Sequence, residues 1–277
     1  MVFRAIVILV LAGAIFGGAA FFAYELYWKP QKLDREEKRE AANRPAPTPP
    51  PDYTLPAFQK AIEQQKNGDP ESARAALEDF LKSYPASSKA GEARRILGET
   101  NARNFFSASE GDGKVAYTVV SRDSLAKISG KFKTNAELIF RVNNLESINL
   151  QIGQQLFIPQ PDITITVNSK EKTVTLMNKG RFFREYPALS VKVSKPTAGP
   201  MASHVVDKIA MRDSKRVAFG DKNYADSDRS VMLTNGIAIR GVPEGTQGPY
   251  PAGIVVAVPD MDEIFLLASR NNPVTIQ

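Results

Sequence analysis

The chain has 277 residues, 43% apolar and 24% charged, with 18 glycines and 19 prolines, a composition that excludes wholesale disorder, collagen-like repetition and a polytopic membrane protein. It holds no cysteine and one histidine, His204; disulfides, thiolate nucleophiles and cysteine-based zinc sites are out, and no metal or cofactor site is expected. The net charge of +6 is spread thinly, at 9 basic against 9 acidic groups over residues 53–116, 5 against 3 over 117–160 and 15 against 12 over 161–277. A nucleic-acid binder concentrates its excess on one module, so no nucleic-acid partner is expected.

From Ala5 to Tyr24 the chain runs 20 residues without a charge, and at about 1.5 Å per residue a helix of that length matches a bilayer's hydrocarbon core. Phe21, Phe22, Tyr24, Tyr27 and Trp28 gather at its end as an interfacial aromatic belt does. Residues 1–28 are therefore expected to be a transmembrane anchor. A cleaved signal peptide is the rival reading, with small residues at Ala12-Gly13-Ala14 and Gly18-Ala19-Ala20. Lys29, Lys32, Arg35, Lys38 and Arg39 outnumber Arg4, which by the positive-inside rule favours a cytoplasmic C-terminal part. The domain content favours the opposite placement, in the inner membrane facing the periplasm or wall.

Residues 29–52 read as a charged helical stalk followed by a stiff spacer, with five prolines between Pro45 and Pro51. Over residues 53–106 apolar positions such as Ala73, Leu77, Phe80 and Tyr84 recur every three or four residues, predicting helices near 55–67, 70–83 and 88–104. Asp69-Pro70 and Ser87/Ser88 are candidate helix starts. The segment resembles one and a half tetratricopeptide repeats, which implies a dimer contact, a protein partner or a packed spacer.

Residues 107–115 form a linker of small residues. In residues 116–160 a short strand at Tyr117-Thr118-Val119 leads to Asp123-Ser124, predicted to cap a helix carrying Leu125, Ile128 and Phe132. A second helix carries Leu138, Ile139 and Val142, and Gln155–Pro159 returns as a strand. Tyr117, Val119, Asp123, Ser124, Leu125, Ile128, Phe132, Asn144, Ile152, Gly153, Gln154, Leu156, Ile158 and Pro159 together resemble the LysM family. The resemblance implies a βααβ fold that binds N-acetylglucosamine glycans such as peptidoglycan, without chemistry. It places the sugar between Arg122, Asp123, Ser124 and Leu125 on one side and Ile148, Asn149, Leu150 and Gln151 on the other. Arg122 stands where the family carries glycine.

Residues 161–277 alternate as strands at Ile163–Val167, Thr173–Met177, Ala188–Val193, His204–Ile209, Gly236–Ile239 and Pro273–Ile276, with a short helix around Phe265-Leu266-Leu267. Their order resembles the YkuD-type L,D-transpeptidase domain. The family's two histidines fall on Arg240 and Ala252, its cysteine on Ile254 and its arginine on Val256. No thiolate or base is available at those positions, so the resemblance implies a domain without its catalysis. The enzymatic alternative is a transpeptidase using an unrecognised nucleophile such as Thr246. Overall the expected fold class is multidomain α+β: anchor, helical module, LysM domain and a mostly-β domain.

Overall fold

The computed structural model describes residues 17–19, 21–43, 52–66, 70–111, 113–193, 199–243 and 245–277. Contacts divide the chain into two units, 1–51 and 52–277. In the first, a π-helical turn at Tyr24–Trp28 runs into helix α1 (Lys29–Asn43), stitched along its exposed surface by the i,i+4 pairs Glu25–Lys29 (2.7 Å) and Asp34–Lys38 (2.8 Å). Among the described residues no helix is long and apolar enough to cross a membrane. Most of the Ala5–Tyr24 run, the proline spacer and Asp69 lie outside the described residues.

The second unit opens with helices α2 (Leu55–Lys66), α3 (Pro70–Ser83) and α4 (Ala90–Phe105), close to the predicted spans. Their apolar stripes meet in a core of Phe58, Ala61, Leu77, Phe80, Ala93 and Leu97. The start of α4 differs from expectation. Its N-cap is Lys89, with no side-chain cap, while Ser87 Oγ accepts from Lys89 N–H at 3.0 Å and shapes the approach instead.

Strands β1 (Lys114–Thr118) and β2 (Gln155–Pro159) pair antiparallel around helices α5 (Leu125–Phe132) and α6 (Ala136–Val142), giving the βααβ order. Val119, Leu125, Ile128, Ile139, Leu156 and Ile158 form its core. Ser124 Oγ accepts from Lys127 N–H at 3.3 Å and caps α5 as the sequence predicts. Asn135 caps α6, and the Asn143 amide bonds both Phe157 N–H (2.7 Å) and Phe157 O (2.8 Å), pinning α6 to β2.

Residues 163–277 form a nine-stranded sheet: β3 (Ile163–Asn168), β4 (Thr173–Asn178), β5 (Arg181–Lys192), β6 (Met201–Arg212), β7 (Lys215–Arg216), β8 (Asp228–Leu233), β9 (Ala238–Val242), β10 (Gly253–Ala257) and β11 (Pro273–Ile276). The order is β11-β3-β4-β5-β10-β9-β8-β6-β7, and a β11–β6 pairing closes it into a barrel. Strands β5 and β6 are twice as long as their alternating stretches indicated, because the residues flanking those stretches also pair with neighbouring strands. The predicted short helix is ten residues long, α7 (Val258–Leu267), entered through Pro259.

The three parts pack on one another. Gly98 lets α4 approach β5 so closely that a Cβ there would sit 3.0 Å from Arg184 Cγ. The Asn101 amide donates to Phe182 O (2.9 Å) and Phe183 O (3.1 Å), and Arg94 pairs with Glu185 at 3.0 Å. Helix α6 serves two cores: Ile139 faces the βααβ interior, while Leu138 and Val142 join the barrel core. Phe219 of the barrel stacks edge-on against Phe140 of α6 at 5.4 Å.

At the centre of that junction lies a buried charged network. Glu137, 4% exposed, accepts from the Tyr224 hydroxyl and pairs with Arg229 at 3.0 Å; Arg229 also reaches Asp262 at 3.4 Å. Burial first, and then the bond to the Glu137 carboxylate, hold the Tyr224 phenol far above its ordinary pKa. The βααβ domain is thereby fixed to the barrel through both apolar and ionic contacts.

Candidate sugar-binding loops

The loop after β1 is shaped by one carboxylate. Asp123 accepts from Val120 N–H at 2.9 Å and from the Tyr117 hydroxyl at 2.8 Å, and these bonds hold its carboxyl below the usual aspartate range. Its role is thus to close the loop, while Ser124 alone caps the helix. Arg122 sits at φ +68°, the left-handed region that glycine enters freely. Its carbonyl accepts from Lys127 Nζ at 2.8 Å and its side chain is exposed.

The loop before β2 is tied to the first one through Val119. Gly153 N–H donates to Val119 O at 2.8 Å and Val119 N–H donates to Gln154 O at 2.9 Å. Gln154 Oε1 accepts from Gln151 N–H at 3.1 Å, and Gly153 takes φ +86° to complete the turn. These bonds join the residue just before the first assigned loop, Val119, to the residues just after the second, Gly153 and Gln154.

Not all eight assigned residues are displayed there. Leu125 is 5% exposed and belongs to the βααβ core, and Leu150 is partly buried against the same core. Leu125 is corrected from a sugar contact to a support of the loop, because Ser124 before it takes the outward position. Arg122, Ser124, Ile148, Asn149 and Gln151 are exposed, and Asp123 is half-buried.

A hollow of about 700 Å³ lies along the second loop, lined by Asn144, Glu146, Ser147, Asn149, Gln151 and Ile152, among others. Arg122–Leu125 do not line it. Around the loops three large apolar side chains stand in solvent: Val120 at 54%, Ile148 at 50% and Ile152 at 75%. Val120 and Ile152 lie outside the eight assigned residues; their mark in the sequence is an apolar residue in a loop, out of step with the strand period. Polar amides beside bare aliphatic groups suit the hydroxyl and acetamide groups of a sugar on one side and its apolar ring face on the other.

Other singled-out residues stand apart. His204 is exposed on β6 opposite Pro273, and Thr246 Oγ1 donates to Pro243 O at 2.7 Å. Ile254 and Val256 are fully buried in β10. Arg240, on β9, has a buried Nε without a hydrogen-bond partner. Among the described residues no cluster of three histidine, aspartate or glutamate side chains is positioned to hold a metal ion.

Comparison with known proteins locates one module. The LysM domain family model matches residues 117–159. The rat (Rattus norvegicus) protein named oxidation resistance protein 1 is 29% identical over 112 residues, 40% of this chain but 13% of its own length. The Bos taurus protein of that name is 42% identical over 57 residues, 21% of this chain and 6% of its own length. The chain thus spans only a small part of either relative. Solved structures that align include an L,D-transpeptidase from Mycobacterium smegmatis, at 14% identity and TM-score 0.30, covering 46% of this chain and 64% of that one. L,D-transpeptidase 3 from Mycobacterium tuberculosis aligns at 13% identity and TM-score 0.30, covering 62% and 99%. At such scores the alignments fix neither the barrel's fold family nor its chemistry. Residues 117–159, matched in sequence and folded as βααβ, are a LysM domain.

Proposed function

We propose that the protein is a non-catalytic binder of N-acetylglucosamine glycan strands, those of bacterial peptidoglycan, and that its LysM loops hold the sugar. The observation that carries this is the LysM match over residues 117–159, whose two loops stand open to solvent with exposed amides and aliphatic groups side by side. Asn149 and Gln151 hydrogen-bond acetamide and hydroxyl groups, and Ile148 and Ile152 pack on the ring faces. The test is co-sedimentation of the full chain with purified sacculi, in parallel with Asn149→Ala/Gln151→Ala and Ile152→Asp. The wild type pellets and the variants stay in the supernatant; a wild type that stays soluble refutes the reading.

The same proposal has the barrel inert toward the wall's peptides. Its support is the sequence resemblance that puts Arg240, Ala252, Ile254 and Val256 where a cysteine transpeptidase keeps its reacting groups. Cross-linking turnover on tetrapeptide stems that is abolished by Thr246→Ala would overturn it. The run from Ala5 to Tyr24 is proposed to anchor the chain in the inner membrane, with the LysM domain on the wall side. Protease digestion of spheroplasts tests this placement, since a protected C-terminal part leaves the LysM domain no wall to hold. A protein partner of the helical module docks on α2 and the face of α3 away from Glu78, because α4 packs on β5 and Glu78 pairs with Arg181 at 2.8 Å.

A further inference from the structure

On the barrel, a cavity of about 440 Å³ opens under the segment between β7 and β8. Its walls include the rings of Phe219, Tyr224 and Phe265, and its polar groups are Lys208, Arg216 and Asp221. None of the sugar-loop residues lines it. Lys208 is out of place by the logic of a strand: it stands opposite Val231 in the β6–β8 pair, and Val231 and Ala210 both point into the core. A lysine therefore occupies an inward position where the period calls for an apolar side chain.

The carboxylates around this lysine are engaged elsewhere. Glu137 holds the Tyr224 hydroxyl and Arg229, and Asp262 holds Arg229. Asp221 accepts from Ala218 N–H at 2.7 Å, and Asp207 pairs with Arg216. Lys208 Nζ instead lies 4.5 Å from the centre of the Phe265 ring. Of the two cations that line the cavity, Arg216 is paired with Asp207, and Lys208 has no carboxylate partner within ion-pair distance among the described residues; Arg229 behind it is paired with Glu137 and Asp262. Burial is the main cause that draws its ammonium down to about 8, with Arg229 acting in the same direction and Glu137 against it.

We propose that the cavity is a binding site for an organic carboxylate with an apolar body, the anion on Lys208 Nζ and the body against Phe219 and Phe265. The charge selects the ligand. One unpaired cation matches one monoanion, whereas a phosphate dianion needs a second, and Arg216 and Arg229 are already neutralised. Three aromatic walls reject a polyol and accept a hydrocarbon or a small peptide end. The carboxylate belongs either to a free acid or to a peptide C-terminus.

Calorimetry and NMR on the full chain separate these, with hexanoate and N-acetyl-Ala-Ala as probes and hexanamide as the neutral control. At neutral pH at least one carboxylate saturates the site and the amide does not; the tighter of the two names the source. Loss of a charge-assisted bond weakens binding about tenfold or more in Lys208→Gln. In the wild type the bound carboxylate moves the Lys208 midpoint upward from about 8, followed on its side-chain resonances. This second readout needs no variant. The proposal is overturned if neither acid saturates, if hexanamide binds as tightly, or if the Lys208 midpoint stays where it was in the presence of saturating acid.

Discussion

Glu137→Ala tests what fixes the LysM domain to the barrel. Glu137 is 4% exposed, Arg229's side chain 10% and Tyr224 8%. Removing one member of a buried pair costs about 3–5 kcal/mol, because the other is left desolvated and uncompensated. Arg229 keeps Asp262 at 3.4 Å, so the cost falls at the lower end, about 3 kcal/mol. Spread over the unit of residues 52–277, that is a drop in Tm of about 6–12 °C. The loss is local, so hydrogen exchange should quicken first in α6 and in the segment around Phe219, before the strands of the barrel. Glu137→Gln retains an acceptor for Tyr224 and should fall between the wild type and Glu137→Ala. Differential scanning calorimetry with exchange mass spectrometry reads both effects. A Glu137→Ala protein melting within about 2 °C of wild type, a change under about 1 kcal/mol for a unit of this size, refutes the argument.

Lys208 gives a pH dependence with a definite sign. Its folded-state midpoint is near 8 against an ordinary 10.5, so between those values the unfolded chain holds more protons and stability rises with pH. Lys208→Met should therefore be more stable than wild type at neutral pH by about 2–4 kcal/mol, an advantage that shrinks from pH 8 to 10.5; a gap independent of pH in urea titrations contradicts it. Leu125→Ala should destabilise the LysM domain by about 2–5 kcal/mol, while Ile152→Ala stays within about 0.5 kcal/mol and loses sugar binding instead. Chemical denaturation beside a sacculus pull-down separates the two, and equal stability losses would refute the division. Gly98→Val should strain and loosen the α4–β5 contact, because the added Cβ meets Arg184 Cγ at 3.0 Å and Arg184 Cα at 3.3 Å and the two further methyl groups add to that crowding; limited proteolysis between α4 and β1 should then accelerate, and an unchanged digestion pattern counts against the contact. Arg122→Gly should keep the fold and relieve a left-handed backbone worth about 1 kcal/mol, which a melting curve will show.

The LysM domain was legible because its signals are local. Ser124 caps its own helix, Pro159 stops its own strand, and the apolar positions between them follow the periods of helix and strand. The same holds for the three helices of the second unit and for most strands of the barrel. Strands β8 and β10 were not singled out. Asp228–Leu233 opens on polar residues, and Gly253–Ala257 is buried on both faces and so shows no alternation.

Residue character alone indicated the helical segment, the LysM domain and the β-rich part that follows, in that order. What lay beyond it was the fate of individual side chains whose environment is made by distant segments. Glu137 reads in sequence as an ordinary acid in the first turn of a helix, favourable to its dipole. Only the packing of α6 on the barrel makes it a buried anion shared by Tyr224 and Arg229. Lys208 passes for a solvated strand lysine until the β6–β8 register turns it inward. Burial and pairing are properties of the closed chain, set by contacts between residues tens of positions apart, which no local pattern encodes.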